Sequence, residues 1–264
     1  MAQRRFAPLD TDGGDVPTLK GIVFDVDGTL WQAYHLPLHD RQCLLPATAL
    51  YVSRDAVRWL VALEDTSKAP FKLMSDLLCS RDALGIEKGV DIIHHIRGLP
   101  NFKERTDAIA IVREIERKAM VKQVPQPGLV ELMDYLNSKG VKRALCTRNF
   151  DGPVNHLIKS HLATHVFAPI VTRDTPNIMP KPDPAGILHI ARAWNLEDAS
   201  DLIMVGDSLD DMTAGHKAGA ATVLLLNVRN QDLKDHEHTD LCIERLDDLI
   251  SILENGFRGV RERS

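Results

Sequence analysis

Acidic, hydroxyl and lysine side chains in four short stretches are spaced for work on a metal ion or an anion. In IVFDVDGTLW (22–31), Asp25 and Asp27 stand two apart and Gly28 follows them. A strand alternates its side chains between faces, so spacing two places both carboxylates on one side. Like charges so close are costly unless a cation or a proton separates them. VGDSLDD (205–211) adds Asp207 and Asp211 directly after another apolar run. Clustered carboxylates of this kind suit a hard divalent cation, and Mg²⁺ prefers such oxygen ligands together with waters and phosphate. VKRALCT (141–147) ends in Thr147, a hydroxyl just before a helical stretch, and MPKPDP (179–184) holds Lys181 between prolines that restrict the backbone. A helix start and a rigid ammonium are both suited to an anion.

The elements that must position these residues follow from the apolar pattern. From Pro125 onward, short apolar runs alternate with amphipathic stretches. GLVELMDYLNSKG reads as a helix ended by Gly140, VKRALCT as a strand, PVNHLIKSHL as a helix and HVFAPIV as strand-like. DPAGILHIARAWN then reads as a helix, DLIMVGD as a strand, LDDMTAGHKAG as a helix, ATVLLLN as a strand and RLDDLISILENG as a closing helix. Alternating β and α with solidly apolar strands implies a doubly wound parallel sheet covered on both faces. LKGIVFDVD supplies one more such strand. Ligands of open α/β sheets bind outside the carboxyl ends of the strands, where the aspartates and Thr147 fall.

Residues 32–124 differ. RDAVRWLVALED, FKLMSDLLCSRDALG and TDAIAIVREIERKAMVKQV place apolar residues at helical spacing with few convincing strands. The expected organisation is a flexible N-terminal arm (1–18), an α/β core (19–31 and 125–264) and a helical insert (32–124) that returns through the stiff PQPG joint. The formal net charge of −5 leaves no electrostatic footprint for nucleic acid or an anionic membrane. No apolar run approaches the roughly 20 residues that span a bilayer. The first residues lack an apolar signal core, and Arg4 and Arg5 are soon followed by acids, which argues against a mitochondrial presequence. The 4 cysteines form no CxxC pair and suit a reducing cytosol. The expectation is a cytoplasmic protein, monomeric or homodimeric.

DVDGT, a strand-end threonine, a lysine before proline and GDSLDD, in that order, resemble the four motifs of the haloacid dehalogenase superfamily. The resemblance runs over about residues 20–245, with the insert in the place of that family's helical cap. It looks like the branch that contains phosphoglycolate phosphatase and β-phosphoglucomutase. The resemblance implies that Asp25 is a nucleophile forming an aspartyl-phosphate. It implies that Asp27 is general acid and then general base, with its backbone carbonyl on Mg²⁺. Asp207 would be the second carboxylate ligand, with Asp211 orienting ligands or water from behind. Thr147 and the following amides would hold phosphate oxygens, Lys181 would neutralise charge on the nucleophile and phosphoryl group, and Gly28 would let the chain turn sharply after the strand.

Arg148 stands where many relatives carry a small or amide residue; it either contacts the phosphate or the substrate, or points away. Residues 31–70 resemble no segment of the family. The implied activity is hydrolysis of a small soluble phosphomonoester. A phosphomutase of the same fold and a non-catalytic binding protein are the alternatives, and the intact acid set argues against the second. A halide leaves without a proton, so dehalogenation would give Asp27 and a metal site no task.

Overall fold

The computed structural model describes residues 5–9, 16–32, 84–85, 92–120 and 124–259. The chain divides into two compact units, one of residues 1–32 with 124–264 and one of residues 33–123.

The first unit is built on strands β1 (Arg5–Phe6), β2 (Gly21–Phe24), β3 (Lys142–Cys146), β4 (Ile170–Val171), β5 (Leu202–Gly206), β6 (Ala221–Leu225), β7 (Leu241–Ile243) and β8 (Phe257–Arg258). In the second unit, α1 (Ile92–Gly98) and α2 (Phe102–Met120) are described; back in the first come α3 (Leu129–Ser138), α4 (Asp151–His161), α5 (Ala185–Ala193), α6 (Leu209–Ala218) and α7 (Asp248–Asn255). Six strands form one parallel sheet in the order β4-β3-β2-β5-β6-β7. The chain winds outward from β2 in both directions, β3 on one side and β5 on the other. The gap between the carboxyl ends of β3, β2 and β5 is therefore a topological switch point, the place where such sheets bind ligands. The register fixes what meets there. Phe24 lies level with Leu145 and with Val205, so Asp25 emerges one residue beyond both neighbours.

Strand alternation sorts the core into two layers. Ile22 and Phe24 face one layer with Leu145, Ile203, Val205 and Val223, covered by Leu132 and Leu136 of α3, Leu157 of α4 and Leu253 of α7. Val23 faces the other with Ala144, Cys146 and Met204, covered by Ile187 and Ile190 of α5 and Ala214 of α6. Each fully buried aliphatic side chain stabilises the fold by about 1.5–3 kcal/mol relative to exposure. The strand ends are thus anchored before any polar residue emerges.

Two expectations need correction. Residues 5–9 are not a flexible arm. Arg5–Phe6 pairs antiparallel with Phe257–Arg258, and the buried Phe6 and Phe257 rings lie 5.6 Å apart. Ala7 N–H donates to Pro17 O and Leu9 N–H to Leu253 O. An apolar Phe6 that can be buried outweighs the entropy of a loose terminus. HVFAPIV yields only the two residues of β4, because Pro169 just before it has no N–H to give the ladder.

In the second unit Asn101 caps α2, its Oδ1 accepting from Glu104 N at 2.8 Å. Ile92 and Ile96, and Ala108 and Val112, are buried at helical spacing. The helices read over 54–65 and in most of 71–85 lie outside the described residues.

Candidate active site

Phe24 is the last ladder residue of β2, yet Asp25 N–H still donates to Val205 O at 2.9 Å. That bond holds Asp25, a residue only 6% exposed, at the switch point. The chain then folds back. Val26 O accepts from the amides of Thr29, Leu30 and Trp31 at 2.9–3.3 Å. Gly28 makes the turn with φ +83°, and a Cβ there would lie 2.2 Å from Asp207 Oδ2. Both facts require glycine. Gly28→Ala is expected to cost about 1–2 kcal/mol in backbone strain alone and to push Asp207 out of place. The melting temperature should fall by several degrees, and an unchanged value would show that the turn does not need glycine.

The tip of β5 supplies the second acid. Asp207 follows Gly206, and Ser208 caps α6. Asp211 closes this turn. Its Oδ2 accepts from Asp207 N (3.2 Å), Ser208 N (3.0 Å) and Ser208 Oγ (2.6 Å). Its Oδ1 accepts from Lys181 Nζ at 2.5 Å. Asp211 is therefore a helix-capping residue and a site residue at once, with both oxygens occupied. Gly206 permits the approach, since a Cβ there would lie 2.3 Å from Asp211 Cβ.

Lys181 reaches in from the loop before α5. Its Nζ bridges Asp211 and Asp25 Oδ1, the latter at 2.6 Å. Burial alone would favour the neutral amine, but the Asp211 and Asp25 carboxylates outweigh it and push the ammonium well above the ordinary lysine range. One ammonium does not balance three acids. Ligand oxygens of Asp25, Asp207 and Asp211 lie within 4.8 Å of one another. Burial first, then the neighbouring carboxylates Asp211 and Asp25, pushes Asp207 up to about 8. Burial, opposed by Lys181, pushes Asp25 up to about 7. Among the described residues, Asp25 Oδ2 and Asp207 Oδ1 carry no hydrogen bond, while Asn227 Nδ2 donates to Asp207 Oδ2 at 3.2 Å. An all-oxygen cluster with excess negative charge and two uncommitted oxygens fits a hard divalent cation.

Asp27 does not share these partners. It lies at the exposed rim. The protein packed around it raises its pKa, against hydrogen bonds that stabilise the carboxylate. Those donors are Trp31 Nε1 to Oδ1 (2.9 Å) and Asn149 Nδ2 to Oδ1 and Oδ2 (2.9 and 3.0 Å). The opening charge conflict is thus eased by separate partners, a lysine for Asp25 and two neutral donors for Asp27.

Thr147, buried, continues β3 by donating its N–H to Val171 O, and its Oγ1 accepts from Asn149 N at 3.1 Å. Arg148 is ion-paired with Asp210, each about a third exposed. Asp25, Lys181, Asp207 and Asp211 are therefore in one connected cluster, Asp27 stands at its rim, Thr147 at the end of the adjacent strand, and Arg148 is held by Asp210.

Residues with no sequence signal complete the site. They are Trp31, Asn149, Asn227, Asn230, whose Nδ2 donates to Asp207 O at 2.7 Å, and Gln126, whose Nε2 donates to Gly28 O at 2.6 Å.

A doubly wound sheet with acids and a lysine at its switch point defines an α/β enzyme whose chemistry sits on the strand tips. The family model of the haloacid dehalogenase-like hydrolases matches residues 19–219, and the chain belongs to that family. It is 42% identical over 180 residues to an uncharacterized hydrolase of Saccharomyces cerevisiae, covering 66% of this chain and 81% of that one. It is 29% identical over 151 residues to phosphoglycolate phosphatase 1 of Pseudomonas aeruginosa, covering 56% of this chain and 54% of that one. Its fold is similar to that of a haloacid dehalogenase hydrolase of Entamoeba histolytica, with a TM-score of 0.61 and 17% identity over 89% of this chain and 98% of that one. Among the described residues no helix is long and apolar enough to cross a membrane.

Proposed function

We propose that the protein is a Mg²⁺-dependent phosphomonoester hydrolase that acts on a small phosphorylated metabolite through an aspartyl-phosphate. The observation that carries this reading is the pairing of a buried carboxylate, Asp25, with Lys181 beside a second acid, Asp207, while Asp27 waits at the rim on its own donors. Asp25 attacks phosphorus, and the bond to the ester oxygen breaks. Asp27 gives that oxygen its proton, so the alcohol leaves neutral. Asp27 then takes a proton from the water that attacks the aspartyl-phosphate, releasing phosphate and restoring Asp25. Thr147 and the amides after it hold the phosphoryl oxygens. Lys181 offsets charge on the nucleophile and on the phosphoryl group. Asp211 keeps Lys181 and the Asp207 turn in place. Mg²⁺, held by Asp25, the Asp27 carbonyl and Asp207, would supply electrostatic stabilisation of the charge that builds up on the phosphoryl oxygens.

The pH dependence of metal binding follows. Burial pushes Asp25 and Asp207 up to about 7 and about 8, well above the usual carboxylate range. In metal-free buffer the unfolded chain loses these protons near its ordinary pKa, while the folded chain keeps them. Stability therefore falls as pH rises from about 4 toward about 8, because the unfolded state binds fewer protons over that window. Mg²⁺ competes with those same protons, so its affinity rises with pH up to about 8. The increase in melting temperature given by a fixed Mg²⁺ concentration should grow between about pH 6 and about pH 8. A constant increase would contradict Asp25 and Asp207 as ligands.

The free thiols of Cys146 and Cys242 are consistent with a reducing cytosol. A screen of phosphate release with Mg²⁺ over phosphoglycolate, sugar phosphates and nucleoside monophosphates tests the reading. Phosphoglycolate comes first because a relative carries that activity in its name. At least one ester should reach kcat/KM of roughly 10⁴ M⁻¹s⁻¹ or more. No release above the level of Asp25→Asn from any of these esters would overturn it.

A further inference from the structure

Asp27 poses a geometric problem. An exposed aspartate has free χ angles, and a proton donor must face one oxygen of the substrate. Two donors, one four residues on and the other 122 residues away, remove that freedom. The turn at 26–31 buries the Trp31 ring to 2% exposure and points its indole N–H at Asp27 Oδ1. Asn149 is itself pinned. Its N–H donates to Thr147 Oγ1, its Oδ1 accepts from Phe150 N at 2.8 Å, and its carbonyl accepts from Arg173 N at 2.9 Å. With Oδ1 engaged by Phe150, the amide nitrogen must face Asp27, which fixes the amide orientation by its own network. Oδ1 of Asp27 receives two donors and Oδ2 receives one.

We propose that Trp31 and Asn149 are positioning residues that lock the Asp27 carboxylate and leave Oδ2 as the oxygen that exchanges the proton with the leaving group. The assignment rests on the reading of Asp27 as proton donor given above. The side chains of Trp31 and Asn149 act through Asp27. Their effect must therefore follow the need for a proton. An alkyl phosphate needs one on its leaving oxygen; p-nitrophenolate leaves without it.

The test is the first-turnover rate of enzyme phosphorylation by rapid quench, with an alkyl phosphate and with p-nitrophenyl phosphate. Trp31→Phe keeps the ring and deletes the N–H. It should slow the alkyl ester about tenfold, the order expected for one hydrogen bond to a charged group, and slow the nitrophenyl ester by a clearly smaller factor. Asn149→Ala should show the same split. Equal losses on both esters, or no loss on either, overturn the proposal. Asp27→Asn run in parallel separates the two levels. If Asp27→Asn shows the split and Trp31→Phe does not, only the lock is wrong. If Asp27→Asn shows no split, the proton-donor role fails and the lock fails with it. Should Trp31→Phe not fold, the Trp31 indole N–H resonance is read in the unsubstituted protein and in Asp27→Asn. Loss of the charged acceptor should move it upfield, and an unmoved resonance overturns the lock.

Discussion

Asp25→Asn is expected to remove nearly all turnover and to leave the fold intact. The change is isosteric, and the strand that carries it is set by Ile22, Val23 and Phe24, all fully buried. Asp25 is a charge that the interior resists, since burial pushes its pKa up to about 7. Removing that charge should leave the melting temperature in metal-free buffer unchanged or higher, the usual relation between a strained catalytic group and stability. Activity is a different matter. Phosphate-monoester hydrolysis without a catalyst is among the slowest reactions known, and the needed acceleration reaches ~10²¹, so no positioning effect can stand in for the nucleophile. The expected loss in kcat is more than about 10³-fold. It is measured by steady-state phosphate release alongside circular dichroism. Retention of more than about a tenth of the activity, roughly 1.4 kcal/mol of barrier, would remove Asp25 from the nucleophile role.

Lys181→Met should be harmful to both stability and activity. The Lys181 side chain is 3% exposed, and its partners Asp25 and Asp211 are 9% and 1% exposed. Breaking a buried ion pair by removing one partner costs about 3–5 kcal/mol, because the other charge stays behind without compensation. Here two carboxylates stay behind, with Asp207 near them. They can respond by taking up protons, which lowers the cost but spoils the nucleophile. A fall in melting temperature on the order of 10 °C is expected in metal-free buffer for a chain of this size. Added Mg²⁺ should restore part of it, because it replaces the lost positive charge at the same oxygens. Turnover should not return, since the ammonium on the phosphoryl group is still missing. Calorimetric scans with and without Mg²⁺ check this. A melting temperature unaffected by the substitution would mean that the bridge does not hold the site together.

The sheet and its acids were legible in the sequence because both have local signals. The runs that become β3, β5 and β6 are solidly apolar, and the helix that becomes α3 ends where Gly140 takes φ +66°. Asp25 and Asp207 each stand at the end of such a run, so the parallel register alone brings them to one edge. Asp211 was expected to orient site groups from behind; its Oδ1 accepts from Lys181 while its Oδ2 accepts from the Ser208 cap of α6. Asn149 had no signal. It meets Asp27 across 122 positions, and nothing in TRN marks an asparagine as a donor to a distant carboxylate. Asn227, the last residue of the run read as a strand, and Asn230 beyond it gave no site signal either, and their contacts with Asp207 exist because β6 lies next to β5. The β1–β8 pair escaped for a different reason. Two residues show no period, and their pairing joins the two ends of the chain, where only the burial of Phe6 against Phe257 reveals it.

The stereochemistry at phosphorus separates an aspartyl-phosphate route from direct attack by water. An isotopically chiral thiophosphate ester is hydrolysed by the enzyme with Mg²⁺ in isotopically labelled water, and the configuration of the released thiophosphate is determined. Each in-line displacement inverts phosphorus. Transfer to Asp25 followed by attack of water makes two displacements, so net retention of configuration is expected. Net inversion would mean that water attacks the ester in a single step, and Asp25 would then not be the nucleophile.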